Sequence, residues 1–76
     1  MGTVIMVIAP EDVQLREVLF EFYREGNSVR VCALDPDSNV EITMVGAARY
    51  SESVLKNMAI RKLKYVIAKK SGWSSA

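Results

Sequence analysis

The chain has no histidine, one cysteine, two prolines and four glycines in 76 residues. Without histidine, no side chain has its ordinary pKa near neutrality, so histidine general-base catalysis and histidine metal ligation are excluded. Cys32 is alone, so no intrachain disulfide can form and a cytoplasmic setting is the expectation. The N-terminal run Val4-Ile5-Met6-Val7-Ile8-Ala9 holds six apolar residues, where a membrane span needs about 20. No Lys or Arg precedes Arg16, so the basic start of a secretory signal is missing. The expectation is a soluble, unexported chain with no membrane partner.

What is present is ordinary globular material. Half of the residues are apolar and a quarter are charged, which fits one small folded domain. A domain of this length buries only about 60% of its unfolded surface, so it gains from pairing with a second copy.

Residues 1–15 read as an N-terminal extension, either an edge strand ended by Pro10 or a flexible arm. Residues 16–25 fit two patterns. As a strand, Val18, Phe20 and Phe22 share one face. As a helix begun by Pro10-Glu11-Asp12, Leu15, Val18, Leu19 and Phe22 form a stripe. Turn chemistry favours the strand. Gly26-Asn27 suits a type II′ or I′ hairpin leading into Val29–Ala33. With those two residues as the loop, Phe22 falls opposite Val31 and Phe20 opposite Ala33, so the apolar faces match.

Asp35 and Pro36-Asp37-Ser38-Asn39 form the next turn. A four-residue loop there places Ala33 opposite Ile42 and Val31 opposite Met44. One sheet face then carries Val18, Phe20, Phe22, Val29, Val31, Ala33, Ile42 and Met44. The other is mixed and includes Leu19, Tyr23, Cys32, Leu34 and Val45 among charged neighbours.

Ser51 is the natural N-cap of a C-terminal helix, Glu52 suits its positive end, and Tyr50 with Leu55 suits a hydrophobic staple. Leu55, Met58, Ala59, Leu63, Val66 and Ile67 form the helical stripe. Lys69 and Lys70 fit the helix end, and Gly72 the stop beyond it. The expected fold is α+β: a three-stranded antiparallel meander over 16–71 with the helix on one face, then a tail over 72–76.

Charge is divided along the chain. Residues 1–52 hold four Arg and nine acids, a net of −5; residues 53–76 hold six Lys or Arg and no acid, a net of +6. A basic helix on an acidic sheet has two readings. It can contact nucleic-acid phosphates through Lys56, Arg61, Lys64, Lys69 and Lys70, with Trp73 stacking on a base. It can equally be a solvated face, or meet the acidic strands of a second copy. Arg61 and Lys64 are expected on the outward side. Lys62 falls near the stripe and must snorkel or find a partner.

Chemistry-bearing patterns are sparse. Asp35, Asp37, Asn39 and Glu41 alternate like the opening of a calcium loop, but Val40 and Gly46 stand where that loop needs Gly and Glu. Cys32 has no nearby base, and capping explains Ser51. No catalytic residue, metal site, cofactor or small-molecule substrate is expected. The preferred expectation is a non-enzymatic interaction module, a homodimer or a binder of another protein, with Leu19, Tyr23, Cys32, Leu34 and Val45 as its self-association face. The alternative is RNA binding through the helix.

Two resemblances bear on this. Glu21-Phe22, Gly26-Asn27-Ser28-Val29, Ala33-Leu34-Asp35-Pro36, Val45-Gly46 and Arg61–Val66 resemble, across Arg16–Lys70, a family of small alphaproteobacterial proteins classed as a domain of unknown function. That resemblance implies the strand reading of 16–25 and an extension before Arg16, and it implies no activity. The β-β-β-α order, with Lys56-Asn57, Ala59 and Leu63, is similar to a double-stranded-RNA-binding domain lacking its first helix. That family's lysine pair at the helix start is here Glu52-Ser53, and of the cluster only Lys56 matches.

Overall fold

The computed structural model describes residues 10–72. The apolar run at 4–9, read as a strand or an arm, lies outside the described residues, as does Trp73. Three strands follow in order, β1 (Leu19–Glu25), β2 (Ser28–Asp35) and β3 (Val40–Ala47), and then the helix α1 (Glu52–Lys70). The sheet is antiparallel throughout, in the order β1-β2-β3.

The strand reading of 16–25 is borne out from Leu19 onward. Its cause is the turn that follows. Gly26 has φ +59° while Asn27 does not enter positive φ, the signature of a type II′ turn, which matches strand twist. The register is the one the apolar pattern demands: Phe22 pairs with Val31 and Phe20 with Ala33, then Val31 with Met44 and Ala33 with Ile42. In the second turn Asn39 adopts φ 60°, and its N–H donates to the Asp35 carbonyl at 2.7 Å. Asp35 is only 5% exposed. Its carboxylate accepts the Asp37 N–H at 3.2 Å and the Ser38 hydroxyl at 2.6 Å, which offsets the cost of burying a charge. These acidic residues hold a turn together.

The helix starts and stops where local chemistry places its ends. The Ser51 hydroxyl accepts the Val54 N–H at 3.2 Å, and Glu52 lies in the first turn. At the far end the Ser71 N–H bonds to the Ile67 and Ala68 carbonyls, and Gly72 follows at φ 101°. Leu55, Ala59 and Leu63 are buried against Val29, Val31, Ala33, Val40 and Ile42. Val66 and Ile67 pack at the margin of this core. Met58, expected in the stripe, is 38% exposed. The buried row runs in steps of four from Leu55, and Met58 lies about 100° around the helix from Ala59, on the flank of the helix beside Lys62.

The helix is not centred on the sheet. It packs mainly on β3 and β2 and on the 3-10 turn Pro10–Asp12, and reaches β1 more slightly, with Lys56 over the Phe20 ring. Beyond that turn Val13 is buried, and Leu15 and Val18 pack on the core. An Arg16–Asp37 ion pair joins this segment to the β2–β3 turn, with N···O contacts of 3.2 and 3.0 Å. The Arg16 guanidinium holds the Asp37 carboxyl below its ordinary range.

Candidate functional site

Two surfaces carry the residues expected to matter. The first is the sheet face away from the helix. Register sets its rows: Leu19 beside Leu34 beside Glu41, Glu21 beside Cys32 beside Thr43, and Tyr23 beside Arg30 beside Val45. Leu19, Cys32 and Leu34 border one hollow of ≈ 140 Å³ together with Glu21 and Glu41. The Cys32 thiol lies 3.6 Å from the Thr43 hydroxyl. Leu19, Tyr23 and Val45 remain 47%, 41% and 67% exposed.

The five expected face residues are therefore not one patch. Arg30 stands between Tyr23 and Val45, with its guanidinium 4.7 Å from the centre of the Tyr23 ring. The Tyr23 hydroxyl donates to the Glu21 carboxylate. That bond, with the carboxylate's charge, raises the Tyr23 pKa, because ionising the phenol would set two anions together. Val45 sits on the opposite edge strand. Exposed large apolar side chains are spread over α1 and its approach (Tyr50, Val54, Met58 and Tyr65), β3 (Val45) and β1. The outer face of β1 shows Leu19 and Tyr23, and on its inner face Phe20 and Phe22 are only half-buried, with stacked rings 6.0 Å apart.

The second surface is the basic helix, where internal partners occupy half of the cations. Lys56 pairs with Glu52 at 3.1 Å and lies 5.6 Å from the Phe20 ring. Lys69 lies 5.6 Å from the Tyr65 ring. Lys62 reaches over the sheet margin and donates to the Thr43 carbonyl at 2.8 Å. Arg61 and Lys70 are exposed. Lys64, expected on the outward side, is half-buried. The reason is the preceding segment: Glu11 and residues 13–18 share a groove with Ile60 and Lys64. Among the described residues, Arg61, Lys64 and Lys70 have no charged or hydrogen-bonded partner. No group of three or more Cys, Asp or Glu side chains among the described residues is placed to hold a metal ion. No helix among them is long and apolar enough to cross a membrane.

Sequence reasoning flagged Lys62 as needing a partner but could not name the Thr43 carbonyl. It missed the exposed inner face of β1. The only available signal was the aromatic content of β1, which reads equally well as core.

These features define a β-β-β-α domain of the α+β class with an uneven cover over its sheet. Residues 15–70 match a domain of unknown function (DUF6898), and the chain belongs to that family. No curated protein and no solved structure matches the chain.

Proposed function

We propose that this domain is a small non-enzymatic interaction module that self-associates as a homodimer. The observation that carries this reading is the lopsided cover of the sheet. The helix packs on β2 and β3, while β1 presents Leu19 and Tyr23 on one side and half-buried Phe20 and Phe22 on the other. A small domain that leaves aromatic surface open on both faces of one strand gains by covering it. The sites that could suggest chemistry have structural uses. Asp35 and Asp37 are held by turn and ion-pair contacts, Ser51 caps the helix, and Cys32 lies beside Thr43.

Sedimentation velocity from about 10 µM to 0.5 mM tests the reading. A rising sedimentation coefficient supports it. A strict monomer at about 0.5 mM means association weaker than roughly −4.5 kcal/mol and refutes it. The RNA reading has the narrower footing, because Lys56, Lys62 and Lys69 are engaged within the domain.

A further inference from the structure

We infer that the second copy joins at the free edge of β1, extending the sheet to six strands with Phe22 at the two-fold axis. This rests on the self-association proposed above and specifies where and how it occurs.

Among the described residues the three-stranded sheet has two free edges, and the two are unequal. The phase of each edge follows from the hairpins. Glu25 and Ser28 close a two-residue turn, so their peptide groups bond to each other. Alternation then turns the N–H and C=O groups of Phe20, Phe22 and Arg24 away from β2, toward the free edge. On the other side, the Ala48 N–H donates to the Asn27 carbonyl at 2.8 Å. That phase directs the peptide groups of Glu41, Thr43 and Val45 to the free edge of β3. There the Lys62 ammonium already holds the Thr43 carbonyl, so an incoming strand meets a lysine at the middle of β3. A lysine over an edge is a known guard against strand addition. On β1 the Lys56 ammonium lies over the Phe20 ring, and among the described residues no side chain holds a carbonyl of its free edge.

The β1 sequence is also complementary to itself. Antiparallel pairing of all seven residues of β1 must centre on the middle residue, Phe22. Phe22 then faces its own copy, Phe20 faces Arg24, Glu21 faces Tyr23, and Leu19 faces Glu25. No like charges are opposed. The Phe20–Arg24 pair allows a cation–π contact, and Glu21 opposite Tyr23 allows a hydrogen bond across the join. A shift of two residues one way sets Glu21 against Glu21, and the other way sets Glu21 against Glu25. Both oppose carboxylates directly, which is destabilising. The favoured register keeps equivalent faces together, so both helices lie on one side and the four half-buried phenylalanines meet beneath them.

Amide hydrogen exchange on the unmodified chain reads this directly, because edge pairing protects Phe20, Phe22 and Arg24 and leaves Glu41 and Val45 unprotected. For a dissociation constant near 50 µM, protection of the β1 amides rises about threefold between roughly 20 µM and 0.5 mM. If the chain dimerises while these amides stay unprotected, the edge is not the contact and the inference is overturned, with self-association intact. Protection that is independent of concentration means a segment of the same chain covers the edge, and also overturns it.

Charge variants give a second readout by sedimentation. Tyr23→Glu sets a carboxylate against the Glu21 of the other copy, twice by symmetry, at a side chain 41% exposed in the monomer. It is expected to weaken association at least tenfold, with circular dichroism confirming the fold. Adding Glu21→Lys restores complementary charges and is expected to recover the dimer, whereas Val45→Glu leaves it unchanged. Loss of the dimer with Val45→Glu, or no recovery in the double variant, overturns the inference.

Discussion

Replacing Gly46 with alanine tests how the helix is seated on the sheet. Gly46 lies in β3, and a Cβ built on it falls well inside van der Waals contact with Cδ2 of Leu55. Leu55 is 3% exposed and belongs to the core with Val29, Val31 and Ile42, so its methyl has little room to retreat. The positive-φ glycines among the described residues are Gly26 and Gly72, so Gly46 is needed for space rather than for backbone freedom. Overpacking of this kind costs about 1–3 kcal/mol. The smaller conformational freedom of alanine in the unfolded chain returns about 0.4–1 kcal/mol. The expected net loss is about 1–2 kcal/mol, a fall in Tm of about 4–15 °C for a domain of this size. Urea and thermal melts followed by circular dichroism measure it, at fixed protein concentration so that self-association does not shift the midpoint. A cycle with Leu55→Ala isolates the contact. Leu55→Ala alone is expected to cost about 2–5 kcal/mol. In the double variant the new methyl enters the vacated space, so the losses sum to less than additive by about 0.5–3 kcal/mol. A Gly46→Ala protein as stable as the parent, or strictly additive losses, would refute this account of the helix seat.

Other outcomes follow from the same geometry. Ser51→Ala removes the acceptor of the Val54 N–H and should cost about 1 kcal/mol in the same melts. Lys62→Leu removes the donor on the Thr43 carbonyl and opens the β3 edge, so light scattering should show species larger than a dimer; a distribution unchanged from the parent counts against Lys62 as an edge guard. Arg16→Gln should raise the Asp37 pKa toward 3.8, read from carboxyl chemical shifts during an NMR pH titration. A depressed carboxyl pKa contributes stability above the unfolded value and loses it as pH falls through the folded value. The Arg16–Asp37 contribution is therefore confined to pH above the carboxylate range, and it is small because both groups are exposed. Glu21→Gln should lower the Tyr23 pKa toward 10.0, measured by phenolate absorbance. Here the folded pKa is raised, so the parent's contribution is present below pH about 10 and lost as pH rises through the folded value. If duplex RNA binds through α1 alone, the three helix cations without an internal partner among the described residues limit the slope of log K against log salt to about −2.7; a steeper slope means that Lys56, Lys62 or Lys69 leaves its internal partner or that arginines outside the helix take part.

Much of the fold was legible in the sequence because it is decided locally. Gly26-Asn27 and Pro36–Asn39 define both turns, the turn lengths set the register, and the alternation of Phe20, Phe22, Val29, Val31, Ala33 and Ile42 selects the inner face. Ser51 and Gly72 mark where the helix begins and ends. The division between acidic sheet and basic helix is likewise a property of the chain alone.

The tertiary structure decided how the helix lies across the sheet. Helical periodicity specifies which face turns inward, but not which strands receive it. Contact of Leu55 with Gly46, and cover of the Ile60–Lys64 flank by residues 11–18, place α1 over β2 and β3. That offset turns Met58 outward, half-buries Lys64, carries Lys62 to the Thr43 carbonyl and leaves Phe20 and Phe22 half-covered. These outcomes depend on contacts between residues far apart in the chain, where shape and packing volume decide and local sequence preference does not.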